Sequence, residues 1–255
     1  MSKLPKAHKF VDLSDYGRPI ARHIANRLKH TNFTPVHVTL AFIISGLIAI
    51  YCIIENLYWL AAFFLILKSI LDAADGELAR IKQTPSYTGR YLDSVADIIL
   101  NAIIFSAIWY VTNASIWLTI IAFLGVQLQG TLYNYYYVIL RNKFEGDTTS
   151  RIFETKTPTA LAGEKQSNVN ILFKLYKLLY GGFDKTIYFL DPRAAYGKVF
   201  PKWLMTSIST FGLGFQLLLI ALFLVLGLKH MIIPFFVGYS GMIFIFIAIR
   251  KGFYK

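Results

Sequence analysis

Residues 72–97 read DAADGELARIKQTPSYTGRYLDSVAD and stand between two long apolar segments. The apolar runs on either side, near residues 57–78 and 91–112, are each long enough as helices to cross about 30 Å of hydrocarbon. Pro85 and Gly89 lie between them, where the chain must turn back. The stretch therefore predicts a helical hairpin whose two helices carry acidic residues where they meet.

The composition of the whole chain is typical of an integral membrane protein. Hydrophobic residues make up 56% of the chain and charged residues 16%, whereas about 25% of the residues in a soluble domain are charged. Six apolar runs are long enough to span a membrane, near residues 36–55, 57–78, 91–112, 115–140, 204–227 and 230–249. We therefore predict an all-α integral membrane protein with six transmembrane helices.

The same pattern predicts the organisation of the chain. Residues 1–35 form an N-terminal segment, residues 36–250 form the transmembrane domain, and residues 251–255 form a short tail. Within the domain, a long cytoplasmic loop over residues 141–203 separates the fourth span from the fifth.

The positions of the basic residues predict which side of the membrane each loop occupies. If the N-terminus is cytoplasmic, 24 of the 26 Lys and Arg residues fall in cytoplasmic segments, leaving Lys229 outside and Lys68 within the second span. The positive-inside rule therefore places both termini and the acidic hairpin in the cytoplasm. This distribution also accounts for the net charge of +12 without a nucleic-acid partner, because basic loops lie close to anionic lipid headgroups.

Two further segments have the pattern of amphipathic helices. Residues 14–30 carry apolar residues at steps of four and predict an interfacial helix, capped by Ser14 or Asp15 and with Pro19 in its first turn; the alternative is a solvated charged helix. Its apolar positions are Ile20, Ile24 and Leu28. Residues 168–182, NVNILFKLYKLLYGG, predict a surface helix of about 13 residues, too short to span. We expect it to end at the helix-stop residues Gly181 and Gly182.

The second amphipathic helix has an alternative interpretation, a cap packed on the inner ends of the spans. Just before it, residues 133–137 read YNYYY and precede Arg141. Tyrosines at the end of an apolar run are typical of an aromatic belt at the membrane interface.

The acidic residues of the hairpin form two pairs. Asp72 and Asp75 are three residues apart, Asp93 and Asp97 are four apart, and each spacing places the pair on one face of a helix. Four carboxylates aimed at one another in a low dielectric repel strongly unless cations compensate them. Ligands that are all oxygen select hard cations such as Mg²⁺ or Mn²⁺, and four carboxylates can hold two ions as a clamp for phosphoryl transfer.

The residues around these carboxylates suit a phosphate-bearing substrate. Gly76 and Ala79 lack bulk, Arg80 offers a planar fork for phosphate oxygens, and Gly89 gives clearance before Asp93. The pattern therefore predicts a pyrophosphate site at the cytoplasmic face of the membrane.

The motif resembles the signature of the CDP-alcohol phosphotransferases, D-x2-D-G-x2-A-R-x8-G-x3-D-x3-D. Every fixed position is met, at Asp72, Asp75, Gly76, Ala79, Arg80, Gly89, Asp93 and Asp97. The resemblance extends over roughly residues 10–250, since the family's core is similar to the six spans and amphipathic N-terminal helix read above.

The resemblance implies a reaction and a role for each motif residue. An alcohol hydroxyl would attack the β-phosphorus of a CDP-linked donor such as CDP-diacylglycerol and release CMP. Asp72, Asp75 and Asp93 would hold two Mg²⁺ or Mn²⁺ ions, and Asp97, near the second ion, would be the general base. The CDP pocket would be lined by Gly76, Ala79, Arg80 and Gly89. The family also suggests a homodimer, and four glycines permit close helix approach, at Gly212, Gly214, Gly238 and Gly241.

Two details of the sequence leave roles open. Residues 34–39 read TPVHVT, and Val36 replaces the asparagine usual in the family, so we assign this segment no nucleotide role. Glu77 could contact the acceptor hydroxyl, or it could be a solvated or arginine-paired carboxylate.

Three other functions are weighed against this one. The same site could transfer a CDP-linked headgroup to a lipid alcohol. A membrane prenyltransferase also uses acidic residues with Mg²⁺, and a cation transporter uses intramembrane carboxylates. The sequence disfavours a transporter because it shows no pair of broken spans and no inverted repeat.

Overall fold

A computed structural model describes residues 4–144, 156–197 and 200–253, without the side chain of Lys6. All regular structure in these ranges is helical, which confirms the all-α prediction. Short 3₁₀ turns, including Leu13–Asp15, join ten α-helices. The helices are α1 Arg18–Leu28, α2 Pro35–Ile54, α3 Tyr58–Lys82, α4 Tyr87–Thr112, α5 Ile116–Lys143, α6 Gln166–Leu190, α7 Lys202–Ile208, α8 Leu213–Val225, α9 Ile232–Ser240 and α10 Met242–Phe253.

In the part of the chain that the structure describes, four segments are helical, long and apolar enough to cross a membrane, namely α2, α4, α5 and Lys229–Phe253, which contains α9 and α10. A fifth is possible if the bent pair Lys202–Phe211 and Leu213–Val225 counts as one span. These helices support an integral membrane protein, but the six predicted spans are not all confirmed. Of the six predicted spans, the one outside this set is α3, whose 25 residues include Lys68, Asp72 and Asp75.

The expected unbroken helix over residues 204–227 is wrong. The chain bends by 54° between α7 and α8, and Gly212 at the bend is extended, with φ −69° and ψ 148°. The 3₁₀ turn Leu13–Asp15 packs into this bend, where a Cβ on Gly212 would collide with the Ser14 side chain. One predicted span is therefore broken, whereas transporters with midplane sites typically break a pair of spans.

The main hydrophobic core lies between α2, α3, α4, α8 and α9 and includes Phe42, Leu65, Ile104 and Phe236. A second core joins α5 to the end of α6, α7 and α10. Many large apolar side chains remain exposed on the outer faces of the helices, among them Trp59, Phe63, Trp117 and Phe244. An apolar outer surface of this extent is what lipid contact requires.

Hydrogen bonds tie the loops together at the two ends of the bundle. At one end, Lys229 Nζ donates to Tyr58 OH at 2.6 Å and to Asn56 Oδ1 at 3.3 Å, which joins the α2–α3 and α8–α9 connections. At the other end, Lys82 Nζ donates to the carbonyls of Thr31 and Phe33 at 2.7 and 2.6 Å. The acidic hairpin and the entry to α2 therefore share one end of the molecule.

The N-terminal helix α1 forms as predicted, but its start and its buried face differ. Its N-cap is Gly17, without a side-chain cap, so the predicted caps Ser14 and Asp15 are wrong; both lie in the preceding 3₁₀ turn. Ala21 and Ala25 are fully buried in the cluster shared with α3, whereas Ile20 is 55% exposed. Small residues face α3 because they let the two helices approach closely.

The prediction that a short helix stops at Gly181 and Gly182 is wrong. α6 runs unbroken through both glycines for 25 residues. Phe173 and Ile187 are buried on either side of them, so packing holds both halves of the helix. A glycine inside a helix costs only about 1 kcal/mol, which this packing outweighs. The helix lies against α4 and α5, as expected of a helix packed on the bundle.

The tyrosines of residues 133–137 do not form an outward-facing belt. Tyr133, Tyr135 and Tyr136 are buried. The hydroxyl of Tyr133 donates to Asp12 Oδ2 at 2.5 Å, and that of Tyr136 donates to Asp191 Oδ2 at 2.6 Å. Because these acceptors are distant in sequence, the local pattern could not distinguish an interior cluster from a surface belt.

Candidate active site

The hairpin between α3 and α4 is closed by local hydrogen bonds. Gln83 ends α3 in the left-handed conformation, with φ 54°. Ser86 is the N-cap of α4, and its Oγ accepts from the Gly89 amide at 2.8 Å. Glu164 Oε1 accepts from the Thr88 amide at 2.7 Å, so the segment before α6 also caps α4. These contacts fix the first turn of α4, from which Asp93 and Asp97 follow.

Three of the four motif carboxylates come together. One carboxylate oxygen from each of Asp72, Asp75 and Asp93 lies within 4.8 Å of the other two. Asp75 is buried, and Asp93 Oδ1 is buried without a hydrogen bond from any residue in the described ranges. Anionic oxygen ligands at this separation fit a divalent cation such as Mg²⁺ or Mn²⁺, which would also compensate the unpaired Asp93 oxygen.

The fourth carboxylate, Asp97, contacts a buried lysine. Lys68 Nζ lies 2.6 Å from Asp97 Oδ1 and is fully buried. The same ammonium group stands 4.9 Å from the centre of the Phe42 ring. Sequence reasoning treated Lys68 only as a charge inside the second span. Its position one helical turn before Asp72 was the available signal, because a lysine in an apolar helix needs an anionic partner.

A second missed residue supports the cluster from α2. The buried Thr39 side chain donates to Asp75 Oδ2 at 2.8 Å. α2 is set in place by a capping box, in which His37 Nδ1 accepts from the Thr34 amide at 3.0 Å and Thr34 Oγ1 accepts from the His37 amide at 3.4 Å. Val36 therefore leaves the helix start intact, because His37 supplies the reciprocal cap.

The α3 and α4 helices face each other across a cavity rather than packing backbone to backbone. The principal neighbours of α3 are α1, α2 and α8, and those of α4 are α2, α5 and α6. The expectation that these two helices pack directly as neighbours is therefore wrong, because a cavity of about 390 Å³ separates them at the site. Six of the predicted site residues line it, namely Asp72, Asp75, Gly76, Arg80, Asp93 and Asp97.

Comparison with known proteins agrees with this geometry. The family model described as CDP-alcohol phosphatidyltransferase matches residues 25–172. The chain belongs to the CDP-alcohol phosphatidyltransferase family. No curated protein matches the chain. The family transfers a phosphatidyl group from a CDP-alcohol to an alcohol and typically depends on a divalent metal, so the chain is a transferase and the three-carboxylate cluster has the chemistry its family uses.

In this CDP-alcohol phosphatidyltransferase, Arg80 lines the cavity beside Gly76 and is also paired. Its Nη2 lies 3.3 Å from Glu77 Oε1, and Glu77 pairs with Arg18 and stands 3.6 Å from Arg22. Of the two interpretations of Glu77, the arginine-paired one is confirmed. The Nε of Arg80 is buried and has no hydrogen-bond partner within the part of the chain described.

Two motif residues of the family lie outside the cavity lining. Ala79 and Gly89 do not line it. A Cβ on Gly89 would stand 3.2 Å from Ser86 Oγ, which makes Gly89 part of the α4 cap. A Cβ on Gly76 would make only an ordinary contact, 3.5 Å from the Arg80 guanidinium. No neighbouring protein atom therefore requires a glycine at position 76. The space beside Gly76 is available to a ligand.

The N-terminal turn forms one wall of this transferase's cavity. Asp12, Ser14 and Asp15 line it. The Leu13 amide donates to Ser209 Oγ at 2.9 Å, and a Cβ on Gly214 would collide with the Ser14 carbonyl. The close approach that Gly212 and Gly214 permit is therefore made by the N-terminal turn of the same chain.

Proposed function

We propose that the protein transfers a phosphatidyl group from CDP-diacylglycerol to the hydroxyl of an alcohol and releases CMP, in phospholipid synthesis. The observation that supports this most is the carboxylate cluster of Asp72, Asp75 and Asp93 beside a cavity that Arg80 also lines, in a chain of this family. Two adjacent phosphates need both counter-charge and a planar donor, and this cavity offers both.

Each motif residue has a role in the proposal. Asp72, Asp75 and Asp93, together with Asp97, would hold two Mg²⁺ or Mn²⁺ ions. Bound divalent ions polarise phosphoryl oxygens and lower the pKa of a nearby hydroxyl. Arg80 binds the diphosphate through the guanidinium face turned to the cavity, and Gly76 leaves room for the nucleotide, with Ala79 and Gly89 shaping the hairpin that carries the site.

Asp97 takes the proton of the attacking alcohol. Lys68 holds its Oδ1, so Oδ2 is the oxygen that accepts the proton. The alcohol oxygen forms a bond to the β-phosphorus, and the bond from that phosphorus to the bridging oxygen breaks. CMP leaves with the bridging oxygen, and the proton remains on Asp97 until solvent removes it. An aliphatic hydroxyl is a poor acid, so a positioned base accelerates this step by about 10² to 10⁴-fold.

The proposal includes the position of the site in the membrane. We propose that α3 is also a span, which gives six, and that the end carrying the acidic hairpin faces the cytoplasm. The loops at that end contain most of the basic residues, as the positive-inside rule requires. A homodimer, as in the family, is proposed as the working assembly.

The test uses purified protein with CDP-diacylglycerol and a panel of alcohols, and measures CMP and the mass of the product. Asp97→Asn should abolish CMP release while CDP-substrate binding survives, because the amide still accepts a hydrogen bond from Lys68 but is not a base. Asp72→Asn and Asp93→Asn should weaken metal and nucleotide binding. EDTA should stop the reaction and Mg²⁺ should restore it.

Three outcomes would contradict the proposal. Turnover of Asp97→Asn at the wild-type rate removes Asp97 from the base role, and activity that persists in EDTA removes the metals. Activity only with a CDP-linked headgroup and a lipid alcohol would show that the headgroup carries the CDP and that the lipid alcohol is the acceptor.

A further inference from the structure

The cavity continues past the aspartates toward the middle of the bundle. Because α3 runs toward the hairpin and α4 runs away from it, residues before Asp72 and after Asp97 lie on the side facing the membrane interior. Ser69 and Asn101 line the cavity from these positions. We name this part the inner pocket; Gln127 of α5 and Gln216 of α8 complete its polar lining.

The hydrogen bonds of Gln216 decide which atom it offers to the inner pocket. Its Nε2 donates to the Val126 carbonyl at 3.1 Å and to Gln129 Oε1 at 3.0 Å. Gln129 Nε2 in turn donates to Ser240 Oγ at 3.0 Å. Both amide hydrogens of Gln216 are therefore used, and its carbonyl oxygen is what remains for a ligand.

Gln127 offers the opposite polarity. The side chain is only 5% exposed, and its Nε2 has no hydrogen-bond partner within the described ranges. A buried amide donor left unpaired is destabilising, so this position is explained if a ligand supplies the acceptor. The inner pocket thus presents an acceptor at Gln216 and a donor at Gln127.

The charges around the cavity exclude other ligand classes from the inner pocket. The cavity's arginines belong to the hairpin end of the bundle, Arg80 and Arg90 next to the α3–α4 turn and Arg141 in the last turn of α5. Lys68 is held by Asp97. A phosphate needs several donors or a cation, and a quaternary ammonium group needs aromatic faces. The four tyrosines of the cavity lie nearer the hairpin than the inner pocket: Tyr133 and Tyr137 follow Gln127 on α5, Tyr180 donates to the Ser94 carbonyl and Tyr176 packs on Tyr91. A hydroxyl, in contrast, donates and accepts at once.

We propose that the inner pocket binds an uncharged polyhydroxy alcohol as the acceptor, an inference that rests on the proposed function. One hydroxyl donates to Gln216 Oε1 and accepts from Gln127 Nε2. Asn101 lies one helical turn from Asp97 on α4, so a polyol that also contacts Asn101 presents a further hydroxyl to Asp97. The pocket selects this class because its neutral amides pair with hydroxyls and leave a charged group without compensation.

The experiment compares acceptors of different charge with CDP-diacylglycerol as donor. Glycerol and myo-inositol are the uncharged probes, glycerol 3-phosphate the anionic probe and choline the cationic probe. We expect one of the uncharged polyols to give the highest kcat/KM. Gln127→Leu should raise the KM for that polyol about fivefold or more, the effect of one lost hydrogen bond, and leave the KM for CDP-diacylglycerol unchanged.

The matched control is Thr119→Val, on the same helix. Thr119 is buried and does not line the cavity, and among the described residues its hydroxyl bonds only to the Ser115 carbonyl of its own helix, at 3.0 Å. It should leave both KM values unchanged. Gln127→Met is a second variant of about the same size, which fills the pocket and removes the donor without adding a charge, so it should repeat the effect if the leucine variant fails to fold.

The failures of the two proposals are distinguishable. A preference for glycerol 3-phosphate or choline, or an unchanged polyol KM in the folded Gln127 variants, overturns the inner pocket while the transfer reaction stands. If no acceptor yields CMP, the proposed function fails, and calorimetry with the polyols alone then decides the pocket. If the polyol binds to the wild type and Gln127→Leu weakens that binding, the result supports the inner pocket. If the polyol does not bind to the wild type, the inner pocket is overturned.

Discussion

Lys68 places a fully buried positive charge at the candidate site. Its ammonium group is fully buried in α3, between the Phe42 ring and Asp97. A lone buried charge costs several kcal/mol, and a close opposite charge offsets that cost. The pair therefore holds Asp97 on α4 in a fixed position, which is what a base acting on a bound hydroxyl requires.

This pairing predicts a strong coupling between the two residues. Lys68→Met should destabilise the protein by about 3 kcal/mol or more, because it leaves the Asp97 carboxylate buried without a partner. Adding Asp97→Asn should recover part of the loss. Thermal unfolding in detergent measures both, with the exposed Lys174→Met of α6 as the control. Strictly additive effects of the two substitutions would show that the contact has no energetic role.

At the scale of elements, the 3₁₀ turn Leu13–Asp15 forms part of the wall of the candidate active site. It packs against α8 and the 3₁₀ turn that precedes α8, where Gly214 lets the Ser14 carbonyl approach. Asp12 is held by the Tyr133 hydroxyl. A segment at the start of the chain is thereby fixed against helices more than a hundred residues away.

Gly214→Ala tests this wall of the cavity. The added methyl group collides with Ser14 backbone, which cannot rotate away, so we expect a loss of about 1–3 kcal/mol in stability, as for overpacking, together with reduced activity. Gly238→Ala is the control, because no atom lies within 4 Å of its Cβ position. Melting temperature and KM are measured for both. Equal behaviour of the two variants would mean that the turn can move without cost.

The contact between Glu164 and α4 predicts a pH dependence. Burial raises the pKa of Glu164, but hydrogen bonds from Ser86, Thr88 and Leu161 outweigh it, and the pKa lies below its usual value of 4.5. A lowered pKa means that the stabilisation is complete above pH 4.5 and is lost as the pH falls through the folded-state pKa.

The pH dependence is measured with Glu164→Gln, which keeps the size of the side chain. Wild type should be more stable than this variant by about 1 kcal/mol at neutral pH, the usual effect of a helix cap. The difference should shrink in acid as the wild-type carboxylate takes up a proton. If the stability difference between wild type and Glu164→Gln stays constant from pH 7 to pH 3, the stabilisation depends on the shape of the side chain and not on its charge.

At the scale of the whole molecule, the two ends of the bundle differ in chemistry. One end joins the α2–α3 and α8–α9 connections through Lys229, and the other carries the acidic hairpin, the entry to α2 and most of the basic residues. The carboxylate cluster and the basic residues therefore share one end of the bundle.

Thiol labelling tests this orientation and the sixth span together. Thr84→Cys should react with a membrane-impermeant reagent from the cytoplasmic side of sealed vesicles, and Glu55→Cys only from the opposite side, because α3 lies between them. Wild type is the control, since Cys52 is buried. Labelling of both positions from one side would show that α3 does not cross the membrane.

The amino-acid sequence by itself determined the helical class, the hairpin at residues 72–97 and the identity of the acidic cluster. These features depend on local spacing, since residues three and four apart share a helical face whatever the rest of the chain does. The tertiary structure decided that α6 continues through its glycines, that the chain bends between α7 and α8, and that the tyrosines of α5 turn inward. It also decided that Lys68 pairs with Asp97, that Thr39 supports Asp75 and that the N-terminal turn closes the cavity. Each of these depends on a packing or hydrogen-bond partner distant in sequence, whose energy exceeds the roughly 1 kcal/mol preferences on which local patterns rest.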